Sequence, residues 1–338
     1  MKKKKRFVIF KALDRIGLSP VSLGAFLLLS LAPMLAASEY DLRLILMSVM
    51  YGTLAMGFDL SAGFIGVANW GYAALMGLGG YTSALLFERL GVTPWFGMAL
   101  GGLAAMLAGL LIGLLTLRMD GMFAALLAWF VGLILMNTAN ALTGLTRGAM
   151  GLQVESLFDT PWSTPYFYVI LVICIATFIA LKLVVRSHLG LAFTALGQDM
   201  QTARTAGVSP LKYRLINFCI SCFIAGIVGG FYAHYVGILT PNLMATKTTV
   251  QVLVIAYFGG RGSIWGPLLA SFVIMPVFES MNSLMELKYI IYGAALILIM
   301  IFMPNGLAGF ARPLKERLKK RAAGRKQKEN GNRGGKRL

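Results

Sequence analysis

Residues 57–80 read GFDLSAGFIGVANWGYAALMGLGG. The stretch carries one charge, Asp59, and glycines at irregular intervals, with Ser61 and Asn69 set among apolar neighbours. It is too apolar for a surface loop and too irregular for an undisturbed helix. Backbone that leaves the helix at membrane depth must be buried in protein or line a watery cavity. The stretch therefore reads as a broken element inside a membrane and as the wall of a substrate path. The plainer reading is a connection followed by a tightly packed helix.

The rest of the chain supplies the membrane context. Of 338 residues, 58% are hydrophobic and 13% charged, against about 45–50% and about 25% in a soluble domain. That excludes a large soluble core, because too little polar surface exists to cover it. Apolar runs fall at 21–37, 42–58, 71–87, 95–117, 121–142, 166–185, 215–236, 249–258, 264–278 and 289–303. The first reads as an uncleaved span rather than a signal peptide. The run at 249–258 reaches only about 15 Å as a helix, the size of a half-helix or re-entrant piece. The expected fold is all-α, a polytopic membrane protein of about 8–10 helices with broken or re-entrant elements.

The formal charge is +18, and the two ends hold most of it. Residues 1–15 carry seven bases against one acid, and residues 311–338 carry twelve against two. Basic ends of a membrane chain read as cytoplasmic segments beside anionic lipid, not as a nucleic-acid footprint. Ten crossings threaded from a cytoplasmic N-terminus leave only Arg43, Arg89, Arg147, Lys247 and Lys288 outside. Both termini are then cytoplasmic.

Catalytic and metal chemistry find no constellation here. Cys219 and Cys222 are spaced C-x-x-C, but no second pair or neighbouring histidine completes a zinc site, and one turn of buried helix accounts for them. The G-x-x-x-x-G-K-[ST] phosphate cradle is absent; Gly334-Gly335-Lys336 lacks the first glycine and is followed by Arg337. His188 and His234 are the only histidines and form no triad or metal set. No cofactor and no enzymatic role are expected.

The longest polar interruption, residues 186–214, reads RSHLGLAFTALGQDMQTARTAGVSPLKYR. A short helix over 195–206 is predicted, with Thr194 as cap and Gly207 as stop before Pro210. Leu196, Met200 and Ala203 share one side, while Gln198, Asp199, Gln201 and Arg204 lie elsewhere. A small amphipathic helix between two spans suits docking into a partner's groove. Ala203, Ala206 and Gly207 are poor lipid anchors.

At this loop the sequence resembles the permease subunits of ABC importers, whose cytoplasmic loop carries Glu-Ala-Ala, three residues, then Gly. Gln201, Thr202, Ala203 and Gly207 occupy those positions here. Within that group it looks like the branched-chain amino acid (LivM-type) permeases. The ordered segments GVANWGYAALMGLGGYTSALL from Gly66, RMDGMFAALL from Arg118, FGGRGSIWGPLLAS from Phe258 and IIYGAALILIMIFMPNGLAG from Ile290 carry the likeness. The chain departs from the family at Tyr72, where histidine is frequent. It departs again at Thr146–Leu152, where Arg147 and Met150 replace a glycine and an acid.

Charge and composition give residues 1–18 as a basic cytoplasmic segment and 311–338 as a basic disordered tail, longer than the family needs, while the resemblance implies 19–310 as the transmembrane permease domain with its coupling loop at 186–214. It implies an ATP-driven importer subunit of a bacterial inner membrane, for branched-chain or related amino acids. The partners would be a second related permease, two ATP-binding subunits and an external binding protein. Gln198, Gln201, Thr202, Ala203, Arg204 and Gly207 would couple to the ATPase. Asn69, Trp70, Tyr72 and Tyr81 would line the path, and Arg147, Gly148 and Met150 would form the external docking loop. The rival is an ion-coupled carrier using Asp59 at a broken helix.

Overall fold

The computed structural model describes residues 20–117, 119, 121–281, 287–302 and 306–309. The basic segments at 1–18 and 311–338, with Arg118 and Asp120, lie outside them. Each apolar run becomes helix. The first is broken: α1 (Pro20–Ser30) stops at Leu31 and a single turn, α2 (Ala32–Leu35), follows with Pro33 in its first turn. Proline lacks the N–H that would continue the earlier helix. Next come α3 (Glu39–Asp59), capped by the Ser38 side chain, α4 (Tyr72–Leu90), α5 (Pro94–Thr116) and α6 (Gly121–Ala141).

A single turn, α7 (Thr143–Thr146), leads to strand β1 (Leu152–Gln153). Then α8 (Thr164–Arg186), α9 (His188–Gln198), α10 (Met200–Thr205) and α11 (Pro210–Val236) follow. Strand β2 (Ile238–Leu239) pairs antiparallel with β1. The chain then forms α12 (Thr246–Gly259), α13 (Trp265–Ser280) and α14 (Leu287–Phe302).

Among the described residues, five helical segments are long and apolar enough to cross a membrane: 39–65, 94–116, 121–141, 164–186 and 210–236. At 1.5 Å per residue, they exceed the roughly 30 Å hydrocarbon thickness. This is a multi-pass helical membrane protein. The end bearing α9 and α10 is called the loop end below, and the end bearing β1 and β2 the ribbon end.

Packing at the centre is set by glycine. A Cβ on Gly79 of α4 would strike the carbonyl of Gly226 in α11, and one on Gly101 of α5 would strike that of Gly79. One on Gly226 would meet the Gly101 carbonyl and the Ala105 methyl. Three backbones therefore touch at one level. Lipid provides no hydrophobic drive between helices, so such close approach supplies the association through dispersion contacts. The G-x-x-x-G pairs at 109–113 and 226–230 lie on the α5–α11 contact.

Two helices begin halfway through the bundle. Past Asp59, α3 loosens into a π-helical turn, Leu60–Ile65, and Gly66 ends it with φ +80°. The chain doubles back, and α4 starts beside the middle of α11, where the Tyr72 hydroxyl donates to the Ser221 carbonyl at 3.2 Å. From the ribbon end, residues 237–245 dip inward without long regular structure. They deliver the start of α12 to the same level: the Ala73 N–H donates to Thr249 Oγ1 (3.1 Å), and Trp129 Nε1 of α6 donates to Thr246 Oγ1 (2.8 Å). From there α12, about 21 Å long over its 14 residues, runs to the loop end.

Candidate functional site: a broken helix joined to the polar loop

The segment 57–80 is indeed broken, and it is packed tightly. Asn69 is buried, its Oδ1 accepting from Gly71 N at 3.1 Å and its amide facing Cys222 Sγ at 3.7 Å. Tyr72 is buried on Ser221, and Phe58 meets its ring edge-on at 5.4 Å. Tyr81 is buried and donates to the Leu239 carbonyl at 3.4 Å. Trp70 alone of the four stays half-buried. Three of the four residues expected along a path thus spend their polar atoms on bonds within this chain.

Asp59, the one charge of the segment, is buried, 2% exposed. Its Oδ1 accepts from Gly262 N (3.2 Å) and its Oδ2 from Ser263 N (3.0 Å), in the turn between α12 and α13. Gly262 has φ +68°, the left-handed conformation that lets this turn present both N–H groups. Asp59 therefore clamps the loop end of α12 to the π-helical turn. The adjacent Arg261 lies over the Tyr257 ring, 4.3 Å from its centroid.

The polar loop at 186–214 lies directly over that turn. A Cβ on Gly197 would collide with the Phe64 carbonyl, so α9 and the π-helical turn meet backbone to backbone. The predicted 195–206 helix is in fact two. The Ser187 side chain caps α9, and the chain breaks at Asp199, where the backbone is extended and Oδ1 accepts from Gln201 N (2.9 Å) and Thr202 N (3.2 Å). Thr194 is no cap; its hydroxyl donates to Gly190 O within α9. Aspartate competes with the backbone in just this way, favouring caps over helix interiors.

Leu196 and Ala203 face inward, while Gln198, Gln201, Thr202, Arg204 and Gly207 are exposed. The Thr202 hydroxyl bond at 2.6 Å, with the two N–H bonds, holds the Asp199 carboxyl below the usual aspartate range. A depressed carboxyl contributes stability above its unfolded value and loses it as pH falls through its folded value. Protection of the Gln201 and Thr202 amides, taken relative to the intrinsic exchange rate at each pH, is therefore expected to fall on acidification below about pH 4. In Asp199→Ala that protection is expected to be low at every pH.

At the ribbon end, Arg147, Gly148 and Gly151 all adopt positive φ, making a tight reversal before β1. The Thr146 hydroxyl ties it to Ala139 O (2.5 Å) and Leu142 O (2.9 Å). Arg147 is exposed, Gly148 buried, and Met150 92% exposed. The buried His234 fastens the following residues, with Nδ1 2.7 Å from Glu155 O and Nε2 2.8 Å from Ser83 Oγ. Cys219 and Cys222 are free thiols one turn apart on α11.

The sequence reading missed the Gly197–Phe64 contact, the Asp59 clamp and the α12 start on α4 and α6. Each joins residues more than a hundred positions apart, and only Asp59 carried a local signal, a charge among apolar neighbours.

Residues 41–300 match the family model described as branched-chain amino acid transport system / permease component. The permease protein LivM of a high-affinity branched-chain amino acid transport system from Escherichia coli K12 is 28% identical, over 86% of this chain and 75% of its own. The corresponding LivM of Salmonella typhimurium is 27% identical over the same shares. The LivH permease from that organism is 25% identical over 79% of this chain and 93% of its own. No solved structure matches. With a fold of packed membrane helices around a broken central element, and a family match reaching from the start of α3 into α14, the chain belongs to the family of branched-chain amino acid transport system permease components.

Proposed function

We propose that this chain is one permease subunit of an ATP-driven importer for branched-chain or related amino acids. It works beside a second related permease and two ATP-binding subunits, in a bacterial inner membrane with both termini cytoplasmic. The loop end then faces the cytoplasm, and the ribbon end receives substrate from an external binding protein. The observation that carries this reading is the seating of α9 on the π-helical turn. A partner that moves the exposed side of α9 and α10 pushes on the turn between α3 and α4, the broken element of the transport path. Such a push changes transport only if the partner holds the loop differently in two states.

Asn69, Tyr72 and Tyr81 bonded inside the subunit fit a closed path, with Trp70 nearest its opening. Opening requires those bonds to exchange. Arg147 and Met150, exposed on a reversal fixed by Gly148, suit docking of the binding protein. The basic segments 1–18 and 311–338 keep their cytoplasmic assignment as part of the proposal. The carrier reading needs Asp59 for its ion, and one backbone N–H on each oxygen of that carboxyl favours a structural clamp instead.

The test is co-purification of an ATPase from detergent-solubilised native membrane. Arg204→Glu is a sharper probe than a substitution at Gly207, whose φ of +84° would add backbone strain to any effect on docking. The wild type is expected to bring down an ATPase and Arg204→Glu to lose most of it at unchanged membrane abundance. An ATPase-free wild type that moves solute on an ion gradient would overturn the proposal.

A further inference from the structure

Three cavities differ in chemistry. One of about 480 Å³ lies among Trp95, Met98, Phe158, Val172 and Ile227 and is almost wholly apolar, as a lipid-facing groove is. One of about 330 Å³ lies at the loop end beside Gly262, Ser263 and Phe64 and belongs to the Asp59 clamp. The third, about 190 Å³, lies towards the ribbon end between α3 and α13 and carries two opposite charges, Arg43 and Glu279.

Those charges are 236 positions apart in sequence and meet through helix packing. The two helices run antiparallel, with Gly52 of α3 against Leu268 and Ser271 of α13. Nine residues back from Gly52 and eight on from Ser271 bring Arg43 and Glu279 to the same height. Below them the walls are apolar, from Leu44, Met47 and Met275. At the floor the Tyr51 hydroxyl donates to Gln251 Oε1 at 3.4 Å, and Gln251 sits near the start of the half-helix α12.

We infer that this chamber is an entry station for a single free α-amino acid with an aliphatic side chain. The inference rests on the importer reading and names where its substrate first meets this subunit. The α-carboxylate lies on Arg43, whose planar fork matches a carboxylate. The α-ammonium lies on Glu279, which engages a partner within the chain that the ammonium replaces. The side chain lies against Leu44, Met47 and Met275. A neutral solute uses neither charge and a simple carboxylate only one, so the pair selects zwitterions. The Tyr51–Gln251 bond closes the way deeper and must part for passage.

The experiment uses the purified complex with its co-purified ATPase, without binding protein, and displacement of radiolabelled leucine by three probes. These are leucine, leucinamide (no carboxylate) and 4-methylpentanoate (no ammonium). Wild type is expected to bind leucine at least about tenfold better than either analogue, the factor set by one charge-assisted hydrogen bond. Arg43→Gln is expected to lose about tenfold for leucine while leucinamide is unchanged. Glu279→Gln is expected to lose about tenfold while 4-methylpentanoate is unchanged. Arg43→Lys and Glu279→Asp, which keep the charges, should retain the discrimination and replace any glutamine variant that fails to assemble. Unchanged leucine binding in the variants, or equal displacement by all three probes in the wild type, would overturn the entry station and leave the importer reading intact. Absence of an ATPase partner would overturn the importer reading first.

Discussion

Gly226→Val is expected to abolish accumulation of the folded protein in the membrane. The new side chain has nowhere to go. The first carbon alone would lie 2.6 Å from both the Gly101 carbonyl and the Ala105 methyl, and 2.8 Å from the Gly102 Cα. Two of these are backbone atoms of α5, which cannot rotate away as a flexible side chain can. Overpacking a filled core costs about 1–3 kcal/mol and occasionally more. Here the displaced helix α5 would also lose its contacts to α4 through Gly79, so the upper end, about 3 kcal/mol, is expected. Membrane association offers no compensating hydrophobic gain. Abundance and melting temperature of the detergent-solubilised protein check this. Gly144→Ala, whose Cβ would meet nothing within 4 Å, is the neutral control.

Asp59→Ala is expected to lower stability by about 1–3 kcal/mol, the cost of leaving N–H donors without their acceptor. Two donors, Gly262 N and Ser263 N, lose their partner together. Their half-buried position lets water recover part of the loss. Asp59→Asn should be nearly as harmful, because one amide has a single acceptor oxygen and its NH₂ would face the other N–H. The comparison also separates a clamp from an ion site. A clamp gives a lower melting temperature in both variants, whereas an ion site gives normal melting in Asp59→Asn with transport lost.

The helices were readable in the chain because lipid exposure writes long apolar runs, and each such run contains helix among its described residues. The half-helix at 249–258 was readable from length alone. Positions within the bundle were not. Asn69 and Tyr72 read as path residues because polar groups in an apolar run suggest water; their pairing with Cys222 and Ser221 on α11 had no signal in the sequence. The break at Asp199 was hidden because residues 195–206 keep a helical spacing of apolar positions through it. Its signal was the aspartate itself, a cap residue two positions before Gln201. Arg43 and Glu279 stayed invisible as a pair until α3 and α13 were laid side by side.

The helix that begins halfway through the bundle also constrains how the protein is made. A nascent chain enters the bilayer segment by segment, and a span of about 20 apolar residues can rest in lipid alone. The 14-residue α12 cannot, and the irregular residues 237–245 before it leave peptide groups that lipid will not hydrate. Its seat is formed by Ala73 and Trp129, which are synthesised more than a hundred residues earlier. The N-terminal helices therefore serve as a template for the C-terminal ones. A chain cut short before α12 can still assemble that seat, whereas a C-terminal fragment made alone has none to occupy.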